Sequence, residues 1–543
     1  MPGRLRRAAK WRINWLKWFG DMMEAICKTI VKSALFFILA VMFGGSVAQA
    51  QTESRFVYAN TSSFESLDPH TNFDVPSAAV RFNLYDGLYR WVDNPPQMIP
   101  WLAESYTVSE DGLVYTFKLR HDAKFHDGTA VTAADVVYSI ERIIALGKGA
   151  ASNYIDIVPP GTTTAPDAHT VVFHLKTPSA IFLKTVPDIL IVNSALVKSK
   201  EVNGDWSGTW LARNEAGSGS YALVRHEPSL GFSARRFADH FAGWGENPID
   251  ELEFRTVQDI NTRVLGLIRG DYHGTDGYLP FTQIQRLRQA ANVKIIEQET
   301  MRIFLLSLNN AKPPLDNVHF RRALSYAFDY DGFINNILNG SVTRNPGPNP
   351  NTIWGNPADL QGYSYNLDKA REELSKVPGP IRPITFEASA GYSDTEQASI
   401  FFQNALRQIG IESVVKVSPW PVVLSHLSSS DTRADIVAHW RSAFYVDPNN
   451  WVGEMYGTRY QGKTSSYYSN PEFDRLLERA LISNDQEERR KLYEEMTRIV
   501  IDDAAAIFVY STRWNGPYAA NVEGIRFSPV SNGLDLRWAS MKH

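Results

Sequence analysis

The chain has almost no cysteine: Cys27 is the only one among 543 residues, and it lies in the first fifty. Everything downstream is therefore closed to disulfides, to cysteine-ligated zinc or iron–sulfur clusters and to a thiol nucleophile. Beyond residue 50 no apolar run approaches twenty residues, and no low-complexity tract or repeat at a period of 20–50 is found. A basic excess is missing too. Of 55 Lys/Arg and 59 Asp/Glu, residues 1–50 hold eight and two, leaving 47 and 57 in the remaining 493 residues and a formal net charge of −10 there. That balance lacks the basic footprint that a phosphate backbone demands, which argues against a nucleic-acid partner.

Local catalytic motifs are also absent. There is no G-x-S-x-G elbow and no H-E-x-x-H helix. The glycine-rich stretch from Gly217 to Tyr221 lacks the Lys and Ser/Thr of a nucleotide loop and reads as a turn. His121, Asp122, His126 and Asp127 are metal-ligand types, but they straddle a strand end and a glycine turn, where polar residues are expected anyway. Asp502 and Asp503 have no identifiable partner acid at a distance. The expectation is no catalytic residue, no metal and no cofactor, with a secreted hydrolase of dispersed catalytic groups kept as the alternative from another class.

The first fifty residues read as an export signal. Lys28 and Lys32 lie around the start of an apolar run of ten at 34–43, and Ala48-Gln49-Ala50 supplies a small-x-small cleavage site before Gln51. Translation from Met22 or Met23 would give a signal of the usual length, about 28 or 29 residues. An uncleaved anchoring helix is the other reading. The mature chain is expected outside the cytoplasm, in the periplasm.

What is present is the patterning of a large mixed α/β body, too long for one core. Tyr115, Phe117 and Leu119 alternate with Thr116 and Lys118 as in a half-buried strand, and Val171, Phe173 and Leu175 repeat the pattern. Thr132 and Asp135 mark a capping-box start for a helix striped with Val136, Ile140, Ile143 and Ile144. Helical spacing recurs at 318–327 and 486–501, Asn470-Pro471 sets another N-cap, and the Pro/Gly/Asn cluster 345–351 is expected as an exposed loop. Fourteen tryptophans and the aromatic residues Trp420, Trp440, Phe444, Tyr445, Trp451, Tyr456, Tyr460, Tyr467 and Tyr468 suit either a core or the wall of a ligand site. Trp440 closes a strand-like segment and precedes Arg441-Ser442, the placement typical of ligand sites at strand carboxyl ends.

These segments resemble a known family. The runs Pro100-Trp101-Leu102-Ala103-Glu104-Ser105-Tyr106, 109–120, Lys124-Phe125-His126-Asp127-Gly128-Thr129 and 132–136, followed by 217–221, 320–327 and 468–474, are similar to the signature of the family 5 extracellular solute-binding proteins. Those are the dipeptide, oligopeptide, nickel and opine receptors of bacterial ABC importers. The resemblance implies an α/β, two-lobed periplasmic binding protein fold of the class II type, with an additional small α/β domain and a hinge between lobes. It divides the chain into the signal (1–50), lobe I (51–93, 216–309 and 511–543), the small domain carrying the signature (94–215) and lobe II (310–510). It implies a monomer that captures a peptide or peptide-like solute and delivers it to a cognate ABC permease at the inner membrane.

For the site, the resemblance points to Phe73, Asp74 and Val75 in a cleft-lining loop, to Trp420, and to the segment Trp440, Arg441, Ser442, Phe444, Tyr445 and Asp447. In peptide-binding relatives an aspartate in this last segment grips the ammonium group of the peptide. Here Ala443 or Phe444 stands in its place, and Asp447 matches a later acid before proline. That departure weakens a standard peptide reading. With Arg441 beside the site, it suggests an anionic group on the ligand held by the guanidinium, as in an opine or sugar conjugate.

Overall fold

A computed structural model describes residues 17–24, 54–462 and 466–542. Residues 1–53 form one unit and 54–543 another. Residues 17–24 are helical, whereas the apolar run 34–43 and the Ala50–Gln51 cleavage site lie outside the described residues. No helix among the described residues is long and apolar enough to cross a membrane.

The larger unit is organised by an 11-stranded sheet. Its order is Ser413–Ser418, Ile384–Ser389, Ile436–Arg441, Val293–Leu308, Ala506–Ala519, Gly274–Thr275, Arg55–Asn60, Glu251–Thr256, Gly231–Arg236 and Tyr221–Glu227, with Thr343–Arg344 added on Ala506–Ala519. Two antiparallel strands, Val293–Leu308 of 16 residues and Ala506–Ala519 of 14, run through the middle. Their register breaks between Glu299 and Ile303 and again between Phe304 and Leu305. On one side of the first break they pair near the amino-terminal strands, and on the other they pair beside Ile436–Arg441. A register break of this kind bends the strand and re-aims a side chain.

Separate cores flank the two ends of these strands, as expected once a chain outgrows a single core. Phe56, Tyr58, Tyr221, Phe232, Leu252 and Phe254 pack on the amino-terminal side. Phe304, Leu306, Phe386, Ile436 and Ala438 pack on the other, against the helices Val318–Ala327 and Ser393–Gln408. Trp451, Phe473, Leu477, Tyr493 and Met496 belong to a further core on helices Pro471–Ile482 and Gln486–Asp502. A four-stranded sheet of Ala103–Val108, Val114–Leu119, Thr170–His174 and Thr164–Asp167 packs on helix Ala133–Leu146 around a core running from Leu88 to Ile191.

Local patterning accounts for these elements. Phe117, Val171, Phe173, Val136 and Ile140 are all fully buried, so the alternating and striped positions face the core as read. The carboxylate of Asp135 accepts the backbone N–H of Thr132 at 2.9 Å, the helix-side half of a capping box. Asn470 accepts from the N–H groups of Glu472 and Phe473. The glycines at 217 and 219 serve close packing: a Cβ at Gly219 would stand 2.4–2.5 Å from backbone atoms of Asn83, Leu84 and Tyr85. One expectation is corrected. The 345–351 loop is irregular but mostly buried, with Asn345 and Asn349 each 1 % exposed. Side chains supply the partners its backbone would otherwise seek from water: the Asn345 amide donates to Gly347 O at 2.5 Å, and Arg344 donates to the carbonyls of Asn345, Phe508 and Val509.

Candidate functional site

The loop after strand Gly274–Thr275 is held by a buried ion pair. The Asp276 carboxylate receives Arg263 at 3.1 and 3.2 Å and the Thr61 N–H at 2.6 Å. Two residues on, Tyr278 projects between the halves of the molecule. Its ring meets Tyr392 at 4.7 Å and Trp440 at 5.0 Å between centroids, in edge and tilted arrangements that suit aromatic quadrupoles. Tyr278 and Trp440 line each of two cavities.

The smaller cavity, about 70 Å³, is mostly apolar and brings together Phe73, Asp74, Val75, Trp420, Trp440, Arg441, Ser442 and Phe444. These residues come from three distant parts of the chain. Phe73 stacks on Phe444 with centroids 4.4 Å apart. Trp420 opens the helix Trp420–Leu427, and its indole N–H donates to Asp74 Oδ2 at 2.8 Å, while Asp74 Oδ1 accepts the Ser77 N–H at 3.0 Å. Asp74 is thus engaged by the protein itself.

Three expected site residues have other work. Arg441 is buried: its guanidinium pairs with Glu454 and donates to Asn450 O at 2.5 and 2.8 Å. Its charge is compensated inside the fold by Glu454, and the residue borders the cavity. Tyr445 and Asp447 do not line either cavity. The Tyr445 hydroxyl donates to Glu454 at 2.8 Å. Asp447 receives Arg489 twice at 2.8 Å and Lys184 at 2.5 Å. Burial alone would raise the Asp447 pKa, but the two cations hold it below the usual carboxylate range. Trp451, Tyr456, Tyr460 and Tyr468 are core residues.

The larger of the two cavities, about 410 Å³, shares Tyr278 and Trp440 with the smaller and includes Arg302, Asp394, Tyr510 and Thr512. Pockets for small solutes run about 300–1,000 Å³. Arg302 comes from the register break of the central strands, where Thr300 Oγ1 bonds Thr512 O at 2.7 Å. Asp394, at the start of helix Ser393–Gln408, accepts the Tyr510 hydroxyl at 2.7 Å, and burial raises its pKa. These residues escaped the sequence reading. The available signal was Arg302 itself, a charge set in the otherwise apolar run Met301 to Leu306.

His126, Asp127 and Asp503 are in structural use. His126 bonds Glu215 at 2.8 Å and Gly219 O at 2.9 Å, and Asp127 caps the turn through Thr129 and holds Asn193. Asp503 receives Tyr468 and Asn470. Among the described residues no group of three or more His, Cys, Asp or Glu could hold a metal ion.

A cleft walled by aromatic side chains from both halves, with two long strands passing between them, defines a two-lobed solute-binding protein. The sequence profile of the bacterial extracellular solute-binding proteins, family 5, matches residues 97–463, and the chain belongs to that family. It is 30% identical over 505 residues to the probable D,D-dipeptide-binding periplasmic protein DdpA of Escherichia coli K12, covering 91% of this chain and 96% of that one. In fold it is similar to the periplasmic binding protein DppA of Helicobacter pylori in complex with the peptide STSA (TM-score 0.83, 24% identity, 91% of this chain and 100% of the other). It is likewise similar to the oligopeptide-binding protein AppA of Bacillus subtilis in complex with a nonapeptide (TM-score 0.82, 20% identity, 90% and 99%).

Proposed function

We propose that this protein is the periplasmic receptor of an ABC importer, capturing a peptide or peptide-like solute between its lobes and presenting it to a membrane permease without chemical change. The observation that carries this reading is the aromatic cluster of Tyr278, Tyr392 and Trp440, two of whose rings line both cavities. Such a cluster offers apolar area and ring faces to a solute while leaving few polar groups to fix its orientation. In this reading Phe73, Asp74, Val75, Trp420, Trp440, Ser442 and Phe444 enclose the solute, the lobes divide near residues 94, 216, 310 and 511, and the export signal is removed after Ala50. The mature chain acts as a monomer.

A second reading within the same class, a non-peptide anionic solute, is favoured by Ala443 and Phe444 standing where an ammonium-binding acid is expected. Phe444 instead stacks on Phe73. Native mass spectrometry of residues 51–543 from a periplasmic expression host, with identification of any released molecule, separates the two. Calorimetry with D-Ala-D-Ala and L-Ala-L-Ala then tests binding directly. Peptide masses and stoichiometric binding are the expected result. A single non-peptide mass favours the second reading, and turnover in a chromogenic hydrolase panel overturns both.

A further inference from the structure

Of the four polar residues at 121–127, three are held by the turn they belong to. Asp122 is gripped at 2.5 and 3.0 Å by Arg120, whose guanidinium lies 3.9 Å from the centroid of the Phe241 ring, and His126 and Asp127 have the partners given above. His121 differs: it is exposed, and its ring forms no hydrogen bond or ion pair among the described residues. What meets it comes from another strand. Val114–Leu119 and Thr170–His174 run antiparallel with Lys118 opposite Thr170, and the Leu119 N–H donates to His169 O at 2.8 Å. The end of one strand therefore lies beside the start of the other, and the His121 and His169 rings stand 3.8 Å apart between centroids with their planes 42° apart. His169 is half-buried, and its Nδ1 is buried with no hydrogen-bond partner.

Imidazole nitrogens are the commonest protein ligands of zinc, copper and nickel. Two of them sharing one ion at about 2.0–2.1 Å stand about 3.3 Å apart, a separation this pair reaches when the exposed His121 ring turns about its side-chain bonds. The backbones are already fixed. His169 is tied to Leu119 through its carbonyl and to the Asp167 carboxylate through its N–H at 2.8 Å, and the Arg120 N–H donates to Leu102 O at 3.0 Å. Such preorganisation lowers the ordering cost of binding. The adjacent carboxylates are committed elsewhere, Asp122 to Arg120 and Asp167 to the His169 N–H and the Thr170 hydroxyl. The donor set is thus two histidines with water completing the coordination. Neither histidine lines the two cavities of the cleft.

We propose that His121 and His169 form a two-histidine site for a divalent transition-metal ion on the four-stranded sheet, separate from the solute cleft and independent of what the cleft binds. Copper(II) binds most tightly, zinc(II) and nickel(II) more weakly, and magnesium, which takes oxygen ligands, does not compete. Because the ion joins the ends of two strands and binds the folded chain alone, it stabilises the fold by mass action.

The test uses untagged residues 51–543, freed of metal with a chelator and titrated with copper(II), zinc(II) and magnesium by calorimetry, with electron paramagnetic resonance on the copper adduct. The expected result is one copper ion per chain at micromolar concentration, two imidazole nitrogens in its spectrum, and a higher thermal unfolding midpoint with copper than without. His121→Gln and His169→Gln should each weaken copper binding at least tenfold, leave a single imidazole in the spectrum and abolish the rise in midpoint. His174→Gln, an exposed histidine on the same sheet, should change none of these. Copper binding of undiminished strength in either His121→Gln or His169→Gln overturns the proposal. So does a wild-type spectrum with fewer than two imidazoles, a preference for magnesium, or no uptake of copper at all. Should His169→Gln fail to fold, His121→Gln, at an exposed position, decides alone.

Discussion

His70 shows how a single buried side chain ties this fold to pH. Its Nδ1 lies 3.0 Å from the Arg142 guanidinium and its Nε2 lies 2.7 Å from Leu190 O, so the arrangement requires the neutral ring with Nδ1 as acceptor. Burial, reinforced by Arg142, brings its pKa down to about 4. The unfolded chain takes up this proton near pH 6.5, so the contribution is intact above pH 6.5 and is lost as the pH falls toward 4. The loss amounts to about 3 kcal/mol. His439, buried beside the cleft and also lowered to about 4 by burial, adds a similar loss. Urea unfolding at stepped pH should show a steep fall in stability between pH 6.5 and 4. His70→Gln should flatten part of it, and an unchanged slope would remove His70 from the account. None of this was legible in the sequence, where His70 is only part of Leu67-Asp68-Pro69-His70, because Arg142 and Leu190 meet it through tertiary packing alone.

Elements were legible wherever the information is local. The alternation of Tyr115, Phe117 and Leu119, the Asp135 side chain at the start of its helix and the Asn470-Pro471 cap each depend on residues within a turn or two. The 345–351 loop was misjudged as exposed because whether a loop is covered depends on what lies across from it, here Phe508 and Val509. Glycine 219 illustrates the same division: the Gly-rich composition announced a break, but its reason is the backbone of Asn83 to Tyr85 pressed against it. Gly219→Ala should therefore destabilise the chain by about 1–3 kcal/mol, the usual cost of overpacking. Gly245→Ala, which meets nothing within 4 Å, should be nearly neutral. Thermal unfolding of the two variants side by side checks this, and equal midpoints would sink the packing argument.

At the scale of the molecule, residues 54–309 and the segment 310–510 share the central sheet through Val293–Leu308 and Ile436–Arg441, and side-chain contacts join them around the cleft as well. Phe73 stacks on Phe444, Trp420 bonds Asp74, Lys184 reaches Asp447 and Arg459 reaches Asp156 at 2.6 Å. A solute that touches both sides only in the closed arrangement shifts the population toward it by its differential affinity. Phe73→Ala removes one closing contact worth about 0.5–1.5 kcal/mol. Solute affinity should drop about two- to tenfold, with little change in the unfolding midpoint of the solute-free chain. A large fall in that midpoint would make Phe73 a core residue instead. The sequence by itself determined the family, the α/β class and the local elements, and it named Phe73, Asp74, Trp420, Trp440 and Phe444, which do meet at one cavity. Only the tertiary structure decided how the buried charges are compensated. Arg441 and Arg302 are alike in sequence terms, but Glu454 pairs directly with one, whereas the other donates to the Tyr278 hydroxyl within electrostatic reach of Asp394. Compensation of a buried charge depends on distances across the fold, which neither composition nor spacing encodes.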